Sequence, residues 1–119
     1  MELGRLEKYK KQFKTFNHQI ENLKQYLKQI ITSGHHIIYL DRVTTTLDVP
    51  ATDAIFLMSL AEKEHLVKKK LLVYSKKDDY QIGEYSSASE IPSEVKDMFN
   101  DKTLSPDEYY IDIIYEAPE

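Results

Sequence analysis

A chain of 119 residues is long enough for one compact domain with an appendage and too short for two full cores. With 30% charged and 41% apolar residues it has a globular balance, and the lack of cysteine excludes disulfides and thiolate metal sites. The net charge of −4 is polarised: residues 1–36 sum to +4, 37–77 to +2 and 78–119 to −10, so the last third repels polyanions and attracts basic partners.

The opening "MELGRLEKYKK" lacks the apolar segment of a signal peptide, and the longest apolar run, Ala54–Met58, is far short of a membrane span. A soluble cytoplasmic protein is the expectation. From Leu6 onward the apolar positions Leu6, Tyr9, Phe13, Phe16, Ile20, Leu23, Leu27 and Ile30 alternate spacings of three and four, a heptad series. No proline interrupts it and Ser33-Gly34 supplies a stop, which predicts one amphipathic helix over residues 1–33. Roughly 28 helical residues within it would span about 42 Å. A remaining domain of about 85 residues is only about 30 Å across, so the stripe should overhang and pair with a protein partner or with a second copy. The flanking positions Arg5, Lys10, Gln12, Asn17, Gln19, Lys24, Tyr26 and Ile31 contain no acid, which disfavours a parallel homodimer. The alternative is a helix folded over its own domain.

Residues 37–85 change rhythm. Leu40, Val43 and Leu47 mark a short helix, Asp48-Val49-Pro50 a turn, and Ala54, Leu57, Met58, Leu60 and Ala61 the buried face of a second helix ending near His65. Leu71 and Val73, then Tyr80 and Ile82, alternate as the strands of a hairpin. Residues 86–119 close with "SPDEYYIDIIYEAPE", a turn followed by an acidic strand. In that strand Tyr110, Asp112 and Ile114 are expected on one face, Ile111, Ile113 and Tyr115 on the other. The fold class expected is α+β: a long N-terminal helix, a helix-turn-helix core with a hairpin, and a small C-terminal β element.

The stretch "VTTTLDVPATDAIFLMSLAEKEHLV" resembles the bacterial winged helix-turn-helix pattern, with Asp48 and His65 standing where that pattern has glycine. Both residue types tolerate the left-handed backbone that glycine adopts there. Further on, Ser75, Asp78, Asp97 and Asn100 have the spacing of two zinc knuckles, and residues 71–116 resemble the zinc-ribbon modules that follow winged helices in bacterial multi-protein systems, defence-associated ones included. The ribbon here is degenerate, because cysteines stand at those four positions in the family. The resemblance therefore implies a ribbon without metal or other cofactor, held by apolar packing of Ile91, Val95, Phe99, Ile111, Ile113 and Tyr115.

A winged helix is expected to read DNA with its second helix, whose outward residues here are Thr52, Phe56, Ser59 and Lys63. None is Arg, Asn or Gln, the bidentate base readers, and an exposed Phe56 suits a protein contact. The hairpin lysines Lys68, Lys69, Lys70, Lys76 and Lys77 could give weak, salt-sensitive phosphate contacts, but Asp78 and Asp79 share their tip. Lysines on a hairpin edge also deter strand pairing. No catalytic set emerges: His18, His35, His36 and His65 are scattered, Thr44–Thr46 lack a base, and the three glycines form no phosphate loop. The expectation is a non-enzymatic adaptor that assembles a bacterial complex through the first helix and the acidic last third, with no membrane or small-molecule substrate. A small dimeric DNA-binding regulator is the alternative.

Overall fold

The computed structural model describes residues 2–117. They form an α+β chain with four α-helices and six strands, divided into two compact units. The first unit runs to Lys68 and takes in Tyr115–Ala117 from the far end of the chain; the second is Lys69–Ile114. This division differs from the sequence reading of 1–33, 37–85 and 86–119, because the last strand ends within the first unit. No helix among the described residues is long and apolar enough to cross a membrane.

The first unit opens with a 3-10 turn at Leu3–Leu6, α1 (Glu7–Gln12), a second 3-10 turn at Lys14–Phe16, and α2 (Asn17–Thr32). The single helix expected over 1–33 is thus broken, with Phe13 at φ −121° and ψ 70°. The break lets α1 pack against α2. Lys10 bridges Glu7 at 3.0 Å and Glu21 at 2.8 Å, and Lys24 pairs with Glu7. Leu6, Tyr9, Ile20, Leu23 and Leu27 are buried, while Phe13, Phe16 and Ile30 are half-buried. The heptad stripe therefore closes on its own unit and does not overhang it. Folding back costs one interrupted turn and satisfies most of the stripe within a single chain.

Gly34, just beyond the α2 C-cap Ser33, has a φ of 81° that suits glycine, and the His35 N–H donates to the Ile30 carbonyl at 3.1 Å. After β1 (Ile37–Tyr39) come α3 (Leu40–Leu47) and α4 (Ala51–Lys63). α3 ends at Asp48 in the left-handed conformation (φ 53°), and Pro50 forms the N-cap of α4. α4 ends in a Schellman closure: Leu66 N–H donates to the Ala61 carbonyl at 2.9 Å and His65 N–H to that of Glu62 at 3.0 Å, with His65 at φ 59°. Val43, Leu47, Ala54, Leu57, Met58, Leu60 and Ala61 are all buried, the face that the sequence spacing assigned.

The second unit is built from β2 (Lys68–Ser75), β3 (Gln81–Tyr85), β4 (Val95–Asp97), β5 (Lys102–Leu104) and most of β6 (Tyr109–Glu116). β2 and β3 are antiparallel, with Leu71 opposite Tyr85 and Val73 opposite Gly83; the register slips after Val73 so that Tyr74 opposes Gln81. β4 and β5 form a second antiparallel pair, Val95 opposite Leu104 and Asp97 opposite Lys102. The larger sheet has the order β1–β6–β2–β3. Val73, Val95, Leu104 and Tyr109 form the core, flanked by Ile82, Tyr85 and Ile91. Burial along β6 does not alternate: Ile114 and Tyr115 are both buried and Ile111 is 45% exposed.

Candidate functional site

Two four-residue turns meet in the second unit, Ser75–Asp78 after β2 and Asp97–Asn100 after β4. Each is followed by an aspartate in the left-handed conformation, Asp79 at φ 58° and Asp101 at φ 51°. Each turn is closed locally. Asp79 N–H donates to the Ser75 carbonyl at 2.8 Å, and the Asp97 carboxylate accepts the backbone N–H groups of Phe99 (3.0 Å) and Asn100 (3.3 Å). The Asn100 amide then ties one turn to the other, its two N–H groups shared among Asp78 Oδ2 at 2.9 Å, Asp97 Oδ2 at 3.0 Å and the Tyr80 hydroxyl at 2.6 Å. Tyr80 in turn donates to both Asp97 oxygens at 2.9 Å. Ser75 and Asp97 are the buried polar members of this cluster. It borders a hollow of about 320 Å³ lined also by Lys76, Lys77, Lys102 and Glu108.

The electrostatics follow from these partners. Burial pushes the Asp97 carboxyl up, but the bonds from Asn100, Tyr80 and the two backbone N–H groups outweigh it and hold it below the usual carboxylate range. Burial, then the bond to Asp97, pushes the Tyr80 phenol up to about 12. The four positions that hold cysteines in the ribbon family are thus brought together, but their chemistry does not suit zinc. Structural zinc takes thiolates or imidazoles, whereas this set is a hydroxyl, two carboxylates and an amide that donates into the cluster. Among the described residues no group of three His, Asp or Glu is placed to hold a metal ion. The apolar packing expected to replace the metal is also only partial. Val95 and Tyr115 are buried and Ile91 and Ile113 half-buried, but Phe99 is 76% exposed, its ring set edge-on against Tyr80 at 4.7 Å. Side-chain hydrogen bonds join the turns.

Phe56, expected to be exposed on the second helix, is half-buried between Phe13 at 5.0 Å, edge to face, and Phe16 at 5.0 Å. The same N-terminal segment holds the end of α4. Glu64 accepts Lys8 at 3.0 Å and Tyr9 at 2.5 Å, and its carbonyl accepts Arg5 at 3.3 Å. The bond to Glu64 raises the Tyr9 phenol to about 12, and the bonds from Tyr9 and Lys8 lower the Glu64 carboxyl. Thr52, Ser59 and Lys63 are exposed as the helical phase predicts, and they share that stripe with Ile55, which the sequence reading missed. Positions 52, 55, 59 and 63 lie at helical spacing, so the signal for Ile55 was present.

The lysines do not form one patch. Lys68 starts β2 and is exposed, Lys69 and Lys70 are half-buried along it with Lys70 3.8 Å from Glu84, and Lys76 and Lys77 are exposed in the turn beyond. The sequence reading also missed Met98, 73% exposed beside Phe99, and the hydroxyls of Tyr80 and Tyr110. Tyr110 stacks on Tyr74 at 5.2 Å and donates to Asp79 at 2.7 Å. No protein family, curated protein or solved structure matches this chain.

Proposed function

We propose that the chain is a non-enzymatic adaptor: a winged helix-turn-helix domain whose hairpin carries a metal-free ribbon, acting by protein docking in a bacterial multi-protein assembly of the defence-associated kind. The observation that carries this reading is the Phe13–Phe56–Phe16 cluster. It occupies part of the outward face of α4, the helix that would otherwise enter a DNA groove. What remains exposed there, Thr52, Ile55, Ser59 and Lys63, holds one cation and no bidentate base reader.

The route of docking differs from the one the heptad stripe suggested. Leu6, Tyr9, Ile20, Leu23 and Leu27 are consumed within the chain, so the first helix offers no seam. The acidic last third remains, with Met98, Phe99, Tyr110 and Ile111 as its large exposed hydrophobic side chains. An electrophoretic shift with duplex DNA at about 100 mM salt separates this reading from a regulator that uses its lysines. The adaptor shows no shift up to micromolar protein. A shift abolished by Lys69→Glu and Lys76→Glu would replace the adaptor with a DNA-binding regulator.

A further inference from the structure

We infer that the outer edge of β1 is a docking site for an extended acidic peptide from another protein, which adds to the sheet as a fifth strand. This rests on the adaptor reading and adds a second docking surface, separate from the acidic last third. β1 ends the sheet, so one side of its backbone faces no strand of that sheet. Ile38 points inward and is 1% exposed, while Ile37 and Tyr39 on the opposite face are 48% and 46% exposed. Natural edge strands usually carry a charge or a proline that discourages pairing. The other edge strand, β3, carries Glu84; β1 reads Ile-Ile-Tyr with neither charge nor proline, and its three-residue length is what limits pairing there.

Beside this edge lies a hollow of about 540 Å³ whose walls include Tyr26, Ile30, His35, His36 and Arg42. Its lining contains no carboxylate, in a chain with twenty acidic residues. An incoming strand would take main-chain hydrogen bonds from the β1 edge, set apolar side chains against Ile37 and Tyr39, and place a carboxylate toward the Arg42 guanidinium. A second copy of this chain fits less well. Pairing β1 with β1 across a two-fold axis brings two copies of the Arg42 guanidinium to one seam.

The test pans a phage-displayed random peptide library against the full chain. Recovered peptides are then titrated by fluorescence anisotropy against wild type, Arg42→Glu, and Ile37→Lys with Tyr39→Lys, each checked for unchanged circular dichroism. The expected result is peptides that alternate apolar and acidic residues, weakened about tenfold or more by Arg42→Glu and lost with the double lysine variant. Basic peptides, peptides indifferent to these variants, or no enrichment overturn the proposal. So does a concentration-dependent dimer in sedimentation that the double lysine variant abolishes, which assigns the edge to a second copy. A DNA shift alongside acidic peptides at the edge would sink the adaptor reading alone, so the two failures are told apart.

Discussion

The side-chain amide of Asn100 donates to Asp78 Oδ2 across 2.9 Å, joining two turns separated by 22 positions in the sequence. Asp97, Tyr80 and the backbone of the second turn complete the connection. Removing Asp97 strands the Tyr80 hydroxyl and two N–H groups, whereas removing Asn100 leaves two carboxylates close together without their shared donor. Asp97→Ala is expected to lower Tm by roughly 5–10 °C and Asn100→Ala by about half as much, read by thermal circular dichroism. A Tm unchanged in both variants would show that the cluster contributes nothing to the fold.

Convergence of four positions on one point is itself testable. The variant Ser75→Cys, Asp78→Cys, Asp97→Cys, Asn100→Cys is expected to bind cobalt(II) with the absorption bands of tetrahedral thiolate coordination, because both turns already present their ends to one place. Wild type is expected to keep its Tm in the presence of a strong chelator. A quadruple variant that folds but stays colourless with cobalt would show that the turns are not placed as two knuckles. A chelator-sensitive wild type would contradict the hydrogen-bonded closure.

Burial of the heptad stripe within the chain changes what its mutants should do. Leu23 is fully buried on α2, so Leu23→Ala is expected to cost about 2–5 kcal/mol of unfolding free energy in a denaturant titration. Light scattering should give a monomer mass for wild type and variant alike. A wild-type oligomer that dissociates on this substitution, with no loss of protomer stability, would return the stripe to an intermolecular role.

Several features of this fold were legible in local backbone chemistry. Asp48 and His65 are two residue types that accept a left-handed backbone, each at the end of an apolar helical run, and both adopt it. Pro50 marked the start of α4 and the alternation around Val73 and Ile82 marked the hairpin. The break at Phe13 was not legible, because Phe13 and Phe16 keep the three-and-four spacing whether they continue a helix or turn toward Phe56. Periodicity states which side chains share a face and says nothing of where a chain folds back. The cluster at Asp97 was visible as four spaced positions, but its bonding depends on Tyr80, which read as an ordinary strand residue.

The left-handed residues also predict a gain. Glycine occupies that conformation without a Cβ penalty but loses more entropy on folding, so the net effect is modest. His65→Gly is expected to stabilise the fold by about 0.5–1 kcal/mol and Asp48→Gly by less, since aspartate tolerates φ 53° better. Chemical denaturation measures both. His65→Val, β-branched at the same position, should destabilise; stability equal to wild type there would mean the turn does not hold the left-handed geometry.

Alkaline titration reports four tyrosines at once. Tyr9 is raised by its bond to Glu64, Tyr80 by burial and then Asp97, Tyr110 by its bond to Asp79, and Tyr115 by burial; each lies at about 12. A raised phenol favours the neutral folded form, so its contribution is complete below the ordinary value of 10 and is lost as pH rises from there toward 12. Asp97 acts in the opposite direction. Its lowered carboxyl stabilises the fold above the ordinary range near 4, and the contribution disappears as pH falls through the folded value. Phenolate absorbance from these four, and from Tyr26, which burial also raises, should therefore appear late and together with the loss of circular dichroism. Tyr80→Phe should remove one late phenol and leave the others. Nine phenols ionising in one step near 10, with the fold intact, would mean these hydroxyls are not engaged as the geometry requires.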